Sequence, residues 1–329
     1  MRRLTLLYGA LVVVTLSVAC LLIGTIDILI AMACGFGADV YVILLARQKK
    51  KMFVGSRFAP LLLVAVVPIA ACAALFFFGY LGTNLLEAVY RAATTTGFSI
   101  AFFITSYPII PAAKFKHIEE HLPESNTSPL VTVLVPAYNE QGVISRTLTS
   151  LLNTKYENKE IIVIDDGSSD LTRFVAQGYE KQGVRVVTKP NGGKASALNY
   201  GLLFAKGDIV VTIDADSMVT RDAIDKIVQA MASDPNNVAV AGNIKVLNST
   251  STLTKIQELE YIMAINTIRR AFALFGAVMV IPGAFGAFKR KAVIEVGGYD
   301  TDTVTEDFDI TIKLLKTRGA VSSSSAAHA

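Results

Sequence analysis

The chain has 329 residues, 52% of them hydrophobic, with 31 Lys and Arg against 27 Asp and Glu for a net charge of +4. That near-neutral balance speaks against a nucleic-acid partner, while a mean hydropathy of +0.49 is too high for an ordinary water-soluble chain, so membrane segments are expected. Cys20, Cys34 and Cys72 all sit in apolar stretches with no Cys-x-x-Cys pair, which argues against a disulfide framework and a cysteine zinc site.

Residues 4–46 are almost continuously apolar, about twice the ~20 residues that one helical crossing of a bilayer takes. Gly24 and Asp27 interrupt the run near its middle, so helices are predicted at about 4–23 and 27–46. A basic loop follows (Arg47, Lys49, Lys50, Lys51, Arg57), then further predicted helices at 58–80 and 88–110. The turns around Gly24 and Gly82 lack Lys and Arg, while Arg2, Arg3, the basic loop, Lys114 and Lys116 lie on the other side. The positive-inside rule then places both chain ends in the cytoplasm and the protein in the cell membrane as a multi-pass chain. Arg91 is the misfit, expected either to snorkel or to pair with Glu87. The competing reading is a secretory signal ending near Ala19-Cys20; the apolar run continues past Cys20, which speaks against cleavage there.

Residues 1–112 are thus expected to form four transmembrane helices and 113–129 a polar linker punctuated by Pro123 and Ser128-Pro129. His117 and His121 are four apart, but no third metal ligand is near them. From residue 130 to 329 the pattern changes. Short Val/Ile-rich runs at 131–135, 160–165, 184–188, 208–213 and 238–241 alternate with stretches of helical period. That alternation predicts an α/β domain with a mostly parallel sheet and helices on both faces. Ligands of such sheets bind beyond the carboxyl ends of the strands.

The residues after each run are the candidates. After the first stands Pro136-Ala137-Tyr138-Asn139-Glu140, where a dinucleotide-binding fold would place Gly-x-Gly-x-x-Gly; this speaks against an NAD(P) enzyme. After the second comes Asp165-Asp166-Gly167-Ser168, either a capped turn or a pair of acceptors for base and ribose donors. After the third, Asn191-Gly192-Gly193-Lys194 frees the backbone to approach a ligand and sets a lysine at a helix start, without the spacing of a P-loop. After the fourth, Asp214-Ala215-Asp216 can hold Mg²⁺ or Mn²⁺ against a diphosphate. Two other Asp-x-Asp pairs, Asp300/Asp302 and Asp307/Asp309, do not end an apolar strand. Thr305-Glu306-Asp307 places carboxylates at a helix start, as a cap or as a base for an acceptor hydroxyl.

Taken in order, from about Pro129 to Arg318, these motifs resemble glycosyltransferase family 2, the inverting enzymes of the GT-A fold. The wording Asn191-Gly192-Gly193-Lys194 leading into Ala197-Leu198-Asn199, then Ala241-Gly242-Asn243-Ile244-Lys245-Val246, is most similar to the poly-N-acetylglucosamine synthases, with hyaluronan, chitin and cellulose synthases as relatives. The resemblance implies that Pro136, Tyr138 and Glu140 contact the nucleoside, that Asp165 or Asp166 binds uracil, and that Lys194 faces the nucleotide. It implies that Asp214 and Asp216 hold the metal, with Asp214 also at the nucleotide sugar. Asp307 becomes the general base with Glu306 beside it, and Gly283, Ala284, Phe285, Gly298 and Tyr299 fall on the acceptor side. Its implied partners are a UDP-sugar, a polysaccharide or lipid-linked acceptor, a lipid bilayer and an accessory membrane subunit. Two alternatives are sugar transfer to a polyprenyl phosphate and a catalytically silent homologue.

Processive members of the family carry Gln-x-x-Arg-Trp and further transmembrane helices, whereas this chain has no Trp and runs only from Asp307 into a bland stretch at Ser322–Ala329. A domain truncated at its C-terminus is therefore expected. The stretch Leu253–Gly276 has a helical apolar period interrupted by Lys255, Glu258, Glu260, Arg269 and Arg270, and is expected to lie along a membrane face.

Overall fold

The structure, a computed structural model, describes residues 25–48, 66–74, 84–106, 108–122, 128–245 and 252–329. The chain divides into two compact units, residues 1–110 and 111–329.

In the first unit, helix α1 (Thr25–Gln48) packs against α2 (Leu85–Ser106). Gly35 permits the approach, since a β-carbon there would stand 2.6 Å from the Phe102 ring. The pair turns its polar groups inward: Arg91 Nε lies 3.2 Å from Asp27 Oδ2 rather than on Glu87, and the Ser106 hydroxyl donates to Asp39 Oδ2 at 2.7 Å. Among the described residues no helix is long and apolar enough to cross a membrane. This overturns the expected four-span bundle. Charged Asp27 and Asp39 sit within α1, and α2 holds Glu87, Arg91 and a run of hydroxyls from Thr94 to Thr96. The helix expected at 88–110 also stops at Ser106, because Pro108 has no N–H to continue it. The segment 4–23 and most of 58–80 lie outside the described residues.

Helix α3 (Ile109–Glu120), which belongs to the second unit from Pro111 on, occupies the first part of the stretch read as linker, and its Phe115 is buried in a core. Beyond it a seven-stranded sheet forms: β1 (Val131–Ala137), β2 (Lys159–Asp165), β3 (Val184–Thr188), β4 (Ile209–Ile213), β5 (Asn237–Asn243), β6 (Phe285–Lys289) and β7 (Ala320–His328), in the order β3-β2-β1-β4-β6-β5-β7. The first four strands in that order run parallel, β6 is antiparallel to β4 and β5, and β7 is parallel to β5. The sheet is mixed, and its carboxyl edge gathers the ends of β1, β2, β4 and β5.

Strand alternation divides the core into two layers. Val133, Val135, Val163 and Val211 face one, packed with Ile144, Leu148 and Leu151 of α4 (Ile144–Leu152) and Ile224 and Ile227 of α7 (Ala223–Ala232). Leu134, Ile162, Ile164 and Val210 face the other, packed with Ala197 and Leu198 of α6 (Gly193–Leu202) and Ile310 and Leu314 of α11 (Glu306–Lys316). Both faces of β1, β2 and β4 are covered, which is why they read as continuous apolar runs. Between these elements lie α5 (Thr172–Gln177), α8 (Thr252–Met263), α9 (Arg270–Ala273) and α10 (Arg290–Glu295).

Two strands, β6 and β7, were not expected. β7 is built from the stretch read as bland, and its Ser322 to Ser325 are buried beside β5. Leu253–Gly276 is helical as expected, but a π-helical turn at Ala264–Arg269 breaks it before α9. Arg269 donates to the Gly242 carbonyl at 2.9 Å, and Arg270 donates to Ser325 Oγ at 2.7 Å and pairs with Glu119 at 3.4 Å, so these arginines serve the fold.

Candidate active site

At the end of β1 the chain turns through Asn139, whose φ of +56° is a left-handed conformation that asparagine tolerates well. Its side-chain oxygen accepts the Ser169 N–H at 2.9 Å, and its own N–H donates to Ser168 Oγ at 3.0 Å. The Glu140 N–H donates to Thr172 Oγ1 at 2.7 Å, and the Leu171 N–H to Gln141 Oε1 at 2.9 Å. The loops after β1 and β2 are thereby tied into one wall.

The loop after β3 is tied to that wall by Asp166. Its carboxylate accepts the N–H of Gly192 at 3.1 Å, the N–H of Gly193 at 2.7 Å and the Lys189 ammonium at 2.6 Å, while its carbonyl accepts Asn191 Nδ2 at 3.0 Å. Gly167 has to be glycine here: its φ is +73°, and a β-carbon would lie 2.8 Å from the Asn191 nitrogen. Asp165 is buried as well, with Oδ1 accepting the Ser168 N–H at 3.2 Å. The pair of aspartates therefore builds the wall from within.

β4 ends between these loops, and its carboxylates complete a cleft of about 330 Å³ lined by Pro136, Tyr138, Glu140, Asp166, Lys194, Asp214 and Asp216, with Asn191 and Gly193. Tyr138 is half exposed, its ring open to a flat ligand. Burial first, then the charges of Asp216, Asp170 and Asp214, hold the Glu140 carboxyl above its ordinary range. The Lys194 ammonium stands 2.5 Å from Asp214 Oδ1 and 3.6 Å from Glu306 Oε1. Another cavity, of about 370 Å³, opens at the amino edge of β4, but Lys289 and Arg290 in its lining are engaged by the Pro235 and Gly207 carbonyls.

Seven of the residues read from the sequence thus meet in one cleft, and Glu306 joins them through Lys194. The acceptor-side residues divide. Gly283 lies against Lys194, since a β-carbon there would fall 2.5 Å from the ammonium, and Ala284 is half-buried beside it. Phe285 corrects the expectation: its side chain is wholly buried in β6, packed on Gly242 in the core. Tyr299 does so too. It is buried, its hydroxyl without a hydrogen-bond partner among the described residues and its ring edge-on to Phe288, and Gly298 beneath it is also buried. Asp307 lies in the first turn of α11, where Oδ1 accepts the Phe308 N–H at 2.8 Å.

Three residues that organise the site gave little signal in the sequence. Lys189 precedes the Pro-Asn-Gly-Gly turn and neutralises Asp166. Asn139 sits in the first loop. Asn199 on α6 holds the Tyr299 backbone from both sides, donating to its carbonyl at 2.7 Å and accepting its N–H at 2.9 Å.

The family model for glycosyl transferase family 2 matches residues 132–297, half of the chain, spanning β1 to the end of α10 and including every lining residue of the cleft. The chain belongs to glycosyltransferase family 2. It is 42% identical over 196 residues to a poly-beta-1,6-N-acetyl-D-glucosamine synthase of Staphylococcus aureus, covering 58% of this chain and 48% of that protein. A synthase of the same description from Staphylococcus epidermidis is 39% identical over 186 residues, covering 56% and 45%. The chain spans about half the length of these curated relatives. Among solved structures it is similar to a mannosyltransferase of Pyrobaculum calidifontis in complex with GDP-Man and Mn²⁺, with a TM-score of 0.55, 26% identity, and coverage of 67% of this chain and 63% of that one. The GT-A expectation for the second unit agrees with that likeness.

Proposed function

We propose that this family 2 domain binds UDP-N-acetylglucosamine in the carboxyl-edge cleft and transfers the sugar, with inversion, to a growing polysaccharide. The observation that carries the reading is the convergence of Asp214 and Asp216, the glycine loop with Lys194, and the open Tyr138 ring on one cleft. The relatives at 42% and 39% identity support the donor and the product class.

In this reading Tyr138 stacks on the base, and Asp166 acts indirectly by presenting the Gly192-Gly193 loop. Lys194 meets the negative charge of the diphosphate. Asp214 and Asp216 would hold a divalent cation, Mg²⁺ or Mn²⁺. The donor set fits one shared with phosphate oxygens. Two carboxylates stand at the strand end, and hard divalent cations are often held by one or two carboxylates together with substrate phosphates. Such a cation, when bound, offsets the charge that develops on the leaving diphosphate. The Mn²⁺ complex of the Pyrobaculum calidifontis mannosyltransferase supports a divalent cation here.

Asp307 accepts the proton of the acceptor hydroxyl as its oxygen attacks the anomeric carbon. The bond to the diphosphate breaks on the opposite face, UDP departs, and the single displacement inverts the configuration. Gly283 and Ala284 keep their place beside the acceptor; the buried Phe285 and Tyr299 side chains support the backbone beneath it.

The test separates donor binding from base chemistry. Asp307→Asn should leave UDP affinity in Mn²⁺ within about twofold while transfer from radiolabelled UDP-N-acetylglucosamine falls by about 10²–10⁴-fold. Full transfer by Asp307→Asn contradicts the assignment of the base. Loss of UDP binding in that variant makes Asp307 a structural residue instead.

A further inference from the structure

Three elements converge on the Lys194 ammonium. It belongs to the first turn of α6, contacts Asp214 beyond β4 at 2.5 Å, and faces Glu306 at the start of α11 at 3.6 Å. The fourth side is Gly283, where any β-carbon would come within 2.5 Å of the nitrogen and 3.8 Å of Glu306 Oε1. The lysine fills a niche that the missing side chain leaves open. It is only partly exposed there, as are both carboxylates.

An ammonium 2.5 Å from Asp214 Oδ1 and a divalent cation on the same carboxylate compete for one negative charge and repel each other. Even with water-like screening, a unit charge about 4 Å from a dication is repelled enough to change affinity by about tenfold or more. The lysine and the cation therefore oppose each other at Asp214, and an incoming diphosphate gives the ammonium an alternative anion.

Resting on the donor-site reading above, we propose that Lys194 is a built-in competitor for the divalent cation at Asp214, so that the cation is admitted together with the diphosphate rather than ahead of it. The free protein keeps its aspartate neutralised by its own lysine. Nucleotide draws the ammonium away, and cation affinity rises. By linkage, the cation raises nucleotide affinity by the same factor. Moving the ammonium off Asp214 also changes the charge beside Glu306, next to the acceptor-side base.

The experiment is a calorimetric titration of MnCl₂ alone, and again with saturating UDP, into the full chain and three variants. Lys194→Met removes the competing charge, and Gly283→Ala displaces the ammonium by volume with no change in charge. Lys194→Arg keeps the charge. The wild-type chain should take Mn²⁺ weakly without UDP. Lys194→Met should bind Mn²⁺ alone about tenfold tighter, Gly283→Ala should shift in the same direction, and Lys194→Arg should stay weak. The gain in Mn²⁺ affinity on adding UDP should shrink in the first two variants. Thermal midpoints check that each variant is folded, and the two routes to the same displacement guard against one variant failing. Unchanged Mn²⁺ affinity in both Lys194→Met and Gly283→Ala, with normal UDP binding by the wild-type chain in Mn²⁺, overturns the inference and leaves the donor site standing. A wild-type chain that binds neither Mn²⁺ nor UDP, alone or together, overturns both.

Discussion

Asp166→Asn removes one negative charge from a carboxylate whose side chain is 4% exposed and which holds Lys189 at 2.6 Å and the N–H groups of Gly192 and Gly193. Hydrogen bonds to a charged group contribute about 1.5–3 kcal/mol each, and removing one partner of a buried pair costs about 3–5 kcal/mol. Two features reduce that figure: asparagine keeps one accepting oxygen, and Lys189 retains the Pro190 carbonyl at 2.5 Å. A loss of about 3 kcal/mol is expected. For a domain of this size that lowers the thermal midpoint by about 6–12 °C. Because Lys189 loses its anion, Asp166→Asn with Lys189→Met should cost less than the sum of the single changes, with a coupling of about 1–3 kcal/mol. UDP affinity in Mn²⁺ should fall with the single change, since the glycine loop is no longer pinned. Urea denaturation measures the stabilities, with Asp216→Asn as an exposed control within about 0.5 kcal/mol of wild type. A neutral Asp166→Asn, or strict additivity in the double variant, refutes the account of the loop.

Tyr299→Phe deletes a buried hydroxyl that has no hydrogen-bond partner among the described residues, so the thermal midpoint should stay or rise; a loss above about 1 kcal/mol shows that the hydroxyl is engaged. Glu140→Gln should stabilise the metal-free chain at pH 7 and confer almost nothing at pH 4. The carboxyl is held above its ordinary 4.5 by burial and by Asp216, Asp170 and Asp214. Its contribution to stability is therefore present below that value and is lost as pH rises through the folded-state value. A variant less stable than wild type at pH 7 in EDTA contradicts that sign.

Strands β1, β2 and β4 were legible in the sequence because both of their faces are covered. Val131 to Val135 and Ile161 to Ile164 are buried throughout, so hydrophobicity alone marks them. β7 was not legible. Ala320–His328 is mostly serine and alanine, and it is a strand because β5 offers it a partner. Phe285 was misassigned for a related reason: a glycine-rich segment reads as a loop, and only pairing with β4 and β5 turns its ring into the core. In the N-terminal part, apolar composition suggested bilayer spans, but Asp27, Asp39 and Arg91 find one another or a hydroxyl between α1 and α2, which hydropathy does not register. The candidate site was largely legible, because the family pattern places its residues just after the strands. Its division of labour was not. That Asp166 faces the glycine loop, and that Lys194 lies on Asp214, depends on where the separate strand ends meet.

The central claim is that the carboxyl-edge cleft is a cation-dependent nucleotide-sugar site. The measurement that tests it most directly is calorimetric titration of UDP into the full chain in Mn²⁺, in EDTA, and with Asp216→Asn in Mn²⁺. UDP is expected to bind the wild-type chain in Mn²⁺, to weaken by about tenfold or more in EDTA, and to weaken comparably with Asp216→Asn, which removes one of the two anions proposed to hold the cation. UDP binding that is indifferent to both EDTA and Asp216→Asn, or no binding in any of the three, contradicts the claim.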